Sequence, residues 1–205
     1  MPTLSDRGDA PPIDDDATPQ SFDDFDGLLA ATTLLQNPRL AREYVYLCYY
    51  GPATIQDLID ELDLARATAY DDVERLERLG VVERDESTRP HQLTAEPFAF
   101  VDGREVAITP TLLHAVALTE FDDDAEYFHN RYGVGRLVRA VRAAAAYYAG
   151  NLTQRMAAKE MGVQPVEGMA IIYAIRPVLE AGRKHDPYFE QLISSDPDEL
   201  EFDGE

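Results

Sequence analysis

Lysine is almost missing from this chain: of 18 basic residues, only Lys159 and Lys184 are lysine. Against them stand 39 Asp and Glu, giving a formal net charge of −21 and a pI near 4.4. At low salt a chain of this charge is repelled by a polyanion such as DNA. Cysteine is present once, as Cys48. One thiol excludes an internal disulfide framework, and its place on the inward side of an expected helix reads as a small core residue rather than a redox sensor. Apolar runs fall far below the roughly 18 residues a membrane span requires, and no secretory signal is visible. The expectation is a cytoplasmic protein without membrane contact.

Signs of catalysis are equally scarce. His91, His114, His129 and His185 are scattered, with no second His or Cys at metal-ligand spacing. Asp122-Asp123-Asp124 has no calcium-loop pattern around it and reads as helix capping and acidic surface. Neither a phosphate-cradling glycine loop nor a nucleophile elbow occurs. No enzyme activity, cofactor or metal is expected.

What is there is a core-forming share of apolar residues, 45%, in a chain whose charge is unevenly spread. Residues 1–27 carry net −7 and residues 186–205 carry net −8, both without apolar periodicity, so both read as solvated acidic tails. Between them the most informative stretch is Thr54 to Val82. Leu58, Ile59 and Leu62 line one face of a first helix, and Ala69, Val73 and Leu76 line one face of a second. Thr54 occupies an N-cap place, with Asp57 three residues on, close to a capping box. Only Leu62-Asp63-Leu64-Ala65 separates the two patterns, a turn that forces a steep crossing. Gly80 suits the positive-φ position that ends a helix. Val81-Val82 opens a strand, Glu86-Ser87-Thr88-Arg89-Pro90 supplies a turn, and His91-Gln92-Leu93 returns. Upstream, Asn37 as N-cap and Pro38 at the first helical position start a helix that turns Leu40, Tyr44, Leu47 and Cys48 inward.

Three helices and a wing thus account for residues 37 to about 96. Their order and spacing, and the segment LDLARATAYDDVERLERLGVV in particular, resemble winged-helix transcription regulators of the ArsR, MarR and TrmB-like kind. The resemblance covers about sixty residues and implies double-stranded DNA as partner. Abundant acid with scarce lysine further resembles the proteins of salt-in halophilic archaea, where an acidic surface maintains solubility in concentrated KCl. At molar salt the Debye length is about 3 Å, so repulsion from DNA nearly vanishes while counterion release weakens binding. Affinity then leans on short-range contacts, base readout and shape fit.

At about 100° per residue, with Val73 inward, Thr68, Asp71, Arg75 and Arg78 lie on the opposite side of the second helix. Arg66 falls in its first turn, the end that enters the major groove in such proteins. Arg66 suits guanine or a phosphate; Thr68 suits a phosphate or a thymine methyl. Tyr70 flanks this surface, and Arg84 and Arg89 in the wing suit phosphate or minor-groove contact. The expected DNA-binding set is Thr54, Arg66, Thr68, Tyr70, Arg75, Arg84 and Arg89. For Arg75 and Arg78, pairing with Asp71, Glu74 or Glu77 along a solvated face is an equal alternative. Asp71-Asp72 departs from the family pattern, where basic or amide residues are common.

Beyond the wing, residues 98–108 read as a hairpin turning at Asp102-Gly103. Helical patterns follow from Thr109-Pro110, from near Asp122 to Gly133, from Val134 to about Ala149, from Leu152 to Met161, and from Pro165 to Ala181 with Gly182 as cap. The last two, divided at Gly162, match the spacing of a second helix-turn-helix. The second of them carries Glu167 and no base until Arg176, and is apolar on several faces, so it reads as a packing or dimer-forming helix. Arg136, Arg139 and Arg142 form a stripe that suits an anionic ligand, DNA, an acidic tail or plain salt bridges. The Tyr147-Tyr148 and Tyr127/Tyr132 patches read as core packing or the lining of a small-molecule pocket.

The expected architecture is mostly α with small β-hairpins (α+β): an acidic tail over 1–27, a winged helix-turn-helix over 28–96, a hairpin plus helical domain over 97–185 for dimerisation or effector binding, and an acidic tail over 186–205. A homodimer reading two half-sites is expected, with Leu28-Leu29, Leu34-Leu35 and the Pro165–Ala181 helix as interface candidates. The alternative is a winged-helix module that docks protein and reads no DNA sequence.

Overall fold

The computed structural model describes residues 24–101 and 107–194. Helix α1 (Asp24–Leu35) leads into α2 (Pro38–Tyr50), α3 (Ile55–Leu62) and α4 (Arg66–Arg78). Strands β1 (Val82–Asp85) and β2 (Gln92–Ala95) form the wing, antiparallel, with Val82 opposite Ala95 and Arg84 opposite Leu93. Ala53 bridges to Leu93 on the other side of β2, anchoring the start of α3 to the wing. A mostly helical fold with small hairpins, a winged helix followed by a helical region, is what the patterning predicted.

The apolar stripes close largely as expected, with Ile59 and Cys48 only half-buried. Leu40, Tyr44 and Leu47 of α2, Leu58 and Leu62 of α3, and Ala69, Val73 and Leu76 of α4 are all buried. Gly80, at φ +70°, carries the chain out of α4 and into β1 where a side chain at that φ would be strained. Asn37 departs from its expected role: its side chain caps nothing in α2 and instead donates from Nδ2 to the carbonyl of Thr33, 2.7 Å away, closing the end of α1. Tyr44 donates from its hydroxyl to the carbonyl of Glu96 at 2.8 Å and packs its ring on Phe98, so the chain leaving the wing is tied to α2.

A second hairpin, β3 (Phe100–Val101) with β4 (Ala107–Ile108), precedes the helical region; its predicted turn at Asp102-Gly103 lies outside the described residues. Then come α5 (Pro110–Leu118), α6 (Asp123–Tyr132), α7 (Val134–Tyr148), α8 (Gln154–Met161), α9 (Pro165–His185) and α10 (Phe189–Ser194). Asp122 caps α6 through Ala125 N, whereas Thr109 makes no side-chain cap bond and keeps a buried hydroxyl without a partner. Helix α5 is buried almost all round and packs on α2 and α9. Through it, one continuous apolar core runs from α1 to α10.

Three boundaries move. Residues 24–27 belong to α1 rather than to a tail. Helix α9 continues past Gly182 to His185, because Gly182 serves as a contact and not as a cap. A Cβ there would overlap the Thr111 side chain of α5. And residues 186–194 are not a solvated tail: Asp186 is buried, its Oδ2 accepting from Thr111 N at 2.8 Å and Thr111 Oγ1 at 2.6 Å, and α10 covers the end of the core with Phe189 and Leu192. Nor is α9 apolar to the core on every side: Ile171, Ile172 and Ile175 are buried, while Val166 and Tyr173 are exposed.

Candidate nucleic-acid interface

Helix α3, the Asp63–Ala65 turn and α4 form the helix-turn-helix. Asp63 takes the left-handed backbone conformation at φ +51° that ends α3, a conformation Asp tolerates through its short polar side chain. Thr54 is the N-cap of α3 in a reciprocal capping box. Its Oγ1 accepts from Asp57 N, and its own N–H donates to Asp57 Oδ2 at 2.7 Å. Those bonds hold the Asp57 carboxyl below the usual carboxylate range. Thr54 is therefore committed first to fixing the start of α3.

Helix α4 is built differently at its start. Ala65, the N-cap, offers no side-chain acceptor, and no acid occupies the first turn. The free N–H groups there keep the partial positive charge of the helix end. Arg66 adds a full positive charge at the same end, an arrangement that is locally unfavourable until an anion arrives. Its guanidinium lies over the exposed Tyr70 ring, 5.5 Å from the centroid. Thr68 is half-buried, about 160–200° round the helix from them, and Asp71, Arg75 and Arg78 are exposed on the solvent side. Arg78 donates from Nε to the carbonyl of Glu74 at 3.3 Å.

The wing arginines differ from each other. Arg84 grips Glu77 with two parallel bonds, Nε to Oε1 at 2.9 Å and Nη2 to Oε2 at 2.7 Å, which ties β1 to α4. Its guanidinium is engaged within the fold. Arg89 is exposed at the wing tip. Arg66 and Tyr70 thus lie together at one edge of the solvent side of α4 and Thr68 and Arg75 at the other, Arg89 stands apart on the wing, and Thr54 and Arg84 have structural partners.

Asp71 and Asp72, taken together as a departure in the sequence, separate in space. Asp71 is exposed, while Asp72 is buried and receives Arg39 of α2, Nε to Oδ2 at 2.6 Å and Nη2 to Oδ1 at 3.3 Å. Beside it Glu43 of α2 is fully buried, with no donor reaching either oxygen. Desolvation, and then the neighbouring Asp72, push the Glu43 carboxyl up to about 9. It is therefore protonated at neutral pH and can donate to the Asp72 carboxylate. This Arg39–Asp72–Glu43 group sets how α4 sits on α2. The sequence did carry a signal for it: Glu43 falls between Leu40 and Leu47, and Asp72 between Ala69 and Leu76, each at core spacing on its helix.

Elsewhere, Arg136 donates to the carbonyl of Gly162 at 2.6 Å and so holds the α8–α9 turn, while Arg131, Tyr127 and Tyr132 gather on Glu167. Burial pushes the Cys48 thiol up to about 12. Among the described residues, no group of three or more His, Cys, Asp or Glu is placed to hold a metal ion. No helix there is long and apolar enough to cross a membrane.

Residues 41–101, from within α2 to the end of β3, match the family described as sugar-specific transcriptional regulator TrmB. That segment, which folds as a winged helix, is similar to the TrmB family. Residues 119–184, which run from the end of α5 almost to the end of α9, match a family of unknown function (DUF7437). No curated protein and no solved structure matches the chain. The TrmB-like segment contains every residue of the candidate interface, and Arg39 reaches it from two residues outside.

Proposed function

We propose that this protein is a DNA-binding transcription regulator that reads promoter DNA as a homodimer, in the high-salt cytoplasm of a halophile. The observation that carries the reading is the first turn of α4. It is uncapped and free of acid, and on the solvent side of this TrmB-like winged helix Arg66, stacked on Tyr70, lies at one edge of α4 and Thr68 at the other. Inserted in a major groove, Arg66 forks onto guanine or a phosphate, Thr68 meets a thymine methyl or phosphate, and the Arg89 wing tip reaches backbone or minor groove. Residues 28–96 act as the reading unit and the helical remainder as the dimerisation or effector unit. Leu28 and Leu29 on α1 and Val166 and Tyr173 on α9 are the exposed apolar side chains for a two-fold contact; Leu34 is consumed by the core. The acid excess and the near absence of lysine support the high-salt setting.

The test is genome-wide DNA occupancy in a halophilic host, wild type against Arg66→Ala/Thr68→Ala. Discrete palindromic peaks that vanish in the double variant are expected. Peaks indifferent to the substitutions would sink the reading. A protein-docking module is the second reading, favoured by exposed Asp71 and Glu74 on the face that would meet phosphate. It predicts that Tyr70→Ala abolishes recovery of a protein partner while Arg66→Glu leaves DNA occupancy intact.

A further inference from the structure

The helical region contains a cavity of about 270 Å³ between α7, α9 and α10. Its inner wall is apolar: Ala145 of α7, Leu179 of α9 and Phe189 of α10, each under 10% exposed. Its rim is polar and comes from one face of α9, where Arg176, Glu180 and Arg183 recur at helical spacing. Each arginine rests on an aromatic face. The Arg176 guanidinium lies 5.8 Å from the Tyr148 ring centre, and that of Arg183 lies 5.9 Å from the Phe189 ring centre. Such stacking holds the planar forks in place with their N–H edges free to bond. Arg176 uses its Nε on Glu180 at 2.9 Å, and Tyr148 donates its hydroxyl to the carbonyl of Ile172.

The geometry points to this cavity as a binding site for a small organic carboxylate: an apolar body against Ala145, Leu179 and Phe189, and a carboxylate on the arginine rim. Two features choose that ligand. Arg176, Arg183 and Glu180 sum to a single positive charge, which matches a monoanion and not a phosphate dianion. The volume and apolar wall suit a body of one ring or a short alkyl chain, at the lower end of the size of ligand pockets. A carboxylate accepts two parallel bonds from a guanidinium, the strongest form such a contact takes. The site also lies on a helix that matters to the rest of the fold. The far side of the same turns of α9 places Gly182 against Thr111 of α5, which in turn packs on α2.

Equilibrium dialysis of the full chain with benzoate tests this, with benzamide as the uncharged isostere and inorganic phosphate as competitor. One saturable benzoate site per chain is expected, weakened at least tenfold by Arg183→Gln and by Arg176→Gln, and unchanged by Arg155→Gln, an exposed arginine of α8 outside the cavity. Arg183 is on the surface, so its replacement leaves the core intact. Benzamide is expected to bind at least tenfold more weakly, and phosphate not to compete at equal concentration. Absence of saturable benzoate binding, equal binding of benzamide, competition by phosphate, or an unaffected Arg183→Gln would each overturn the assignment. No DNA enters the assay, so its outcome is independent of the DNA-binding reading.

Discussion

Glu43 of α2 and Asp72 of α4, the helix proposed to read DNA, are two buried carboxyl groups, and Arg39 is bonded to Asp72. Burial raises the Glu43 carboxyl from 4.5 to about 9, so folding favours its neutral form. Its contribution to stability is complete below pH 4.5 and is lost as pH rises toward 9. His114 acts in the opposite sense: burial lowers it from 6.5 to about 4, so its contribution is present above pH 6.5 and lost as pH falls. Between pH 6.5 and 9 only the Glu43 effect of these two operates. The thermal midpoint of the wild type should therefore fall across that interval by several degrees or more, on the scale of a few degrees per kcal/mol for a chain of this size. Glu43→Gln, which keeps a donor for Asp72 but cannot ionise, should flatten the slope. An equal slope in wild type and variant would refute the buried neutral carboxyl. The spacing of both acids on apolar stripes was legible in the sequence; their meeting was not, since α2 and α4 are brought together only by the fold.

At the scale of elements, the stripes of α2, α3 and α4 and the capping box at Thr54 followed from periodicity, because each depends on residues within a few positions of one another. Glycine shows where that reasoning stops. Gly80 and Gly162 serve the positive-φ roles their local setting required, but Gly182 lies within α9 for lack of room beside Thr111. Two alanine substitutions should then have opposite signs. Gly182→Ala improves helix propensity by about 1 kcal/mol, yet overpacking against α5 should outweigh this for a net loss of about 1–3 kcal/mol. Gly135→Ala in α7 meets nothing within 4 Å and should stabilise by about 0.5 kcal/mol. Urea midpoints of the two variants decide it, and a stabilised Gly182→Ala would mean that the α5–α9 contact is looser than described. Arg84 makes the same point for the interface: wing position nominated it for phosphate, and a carboxylate seven residues earlier, Glu77, claims it.

For the whole molecule, α5 joins the halves. It packs on α2 of the winged helix on one side and on α9 on the other, and buried apolar residues run unbroken between them. Such a core should unfold as a unit. Scanning calorimetry of the full chain is expected to give one transition with equal calorimetric and van't Hoff enthalpies; two resolved transitions would show that the winged helix and the helical region are thermodynamically separate. The same continuity provides a physical path from the α7–α9–α10 cavity to α2, through elements that are packed rather than tethered.

The sequence by itself determined the winged helix and the acidic, lysine-poor character of the chain, because helical period, turn chemistry and composition are local or additive properties. The tertiary structure alone decided which charges are free and which are spent. It bound Arg84 to Glu77 and Asp72 to Arg39, buried Asp186 under α5, and set Arg176 and Arg183 over a shared cavity. A charged side chain has many potential partners along the chain, and only the packing of distant elements selects the one that lies within 3 Å.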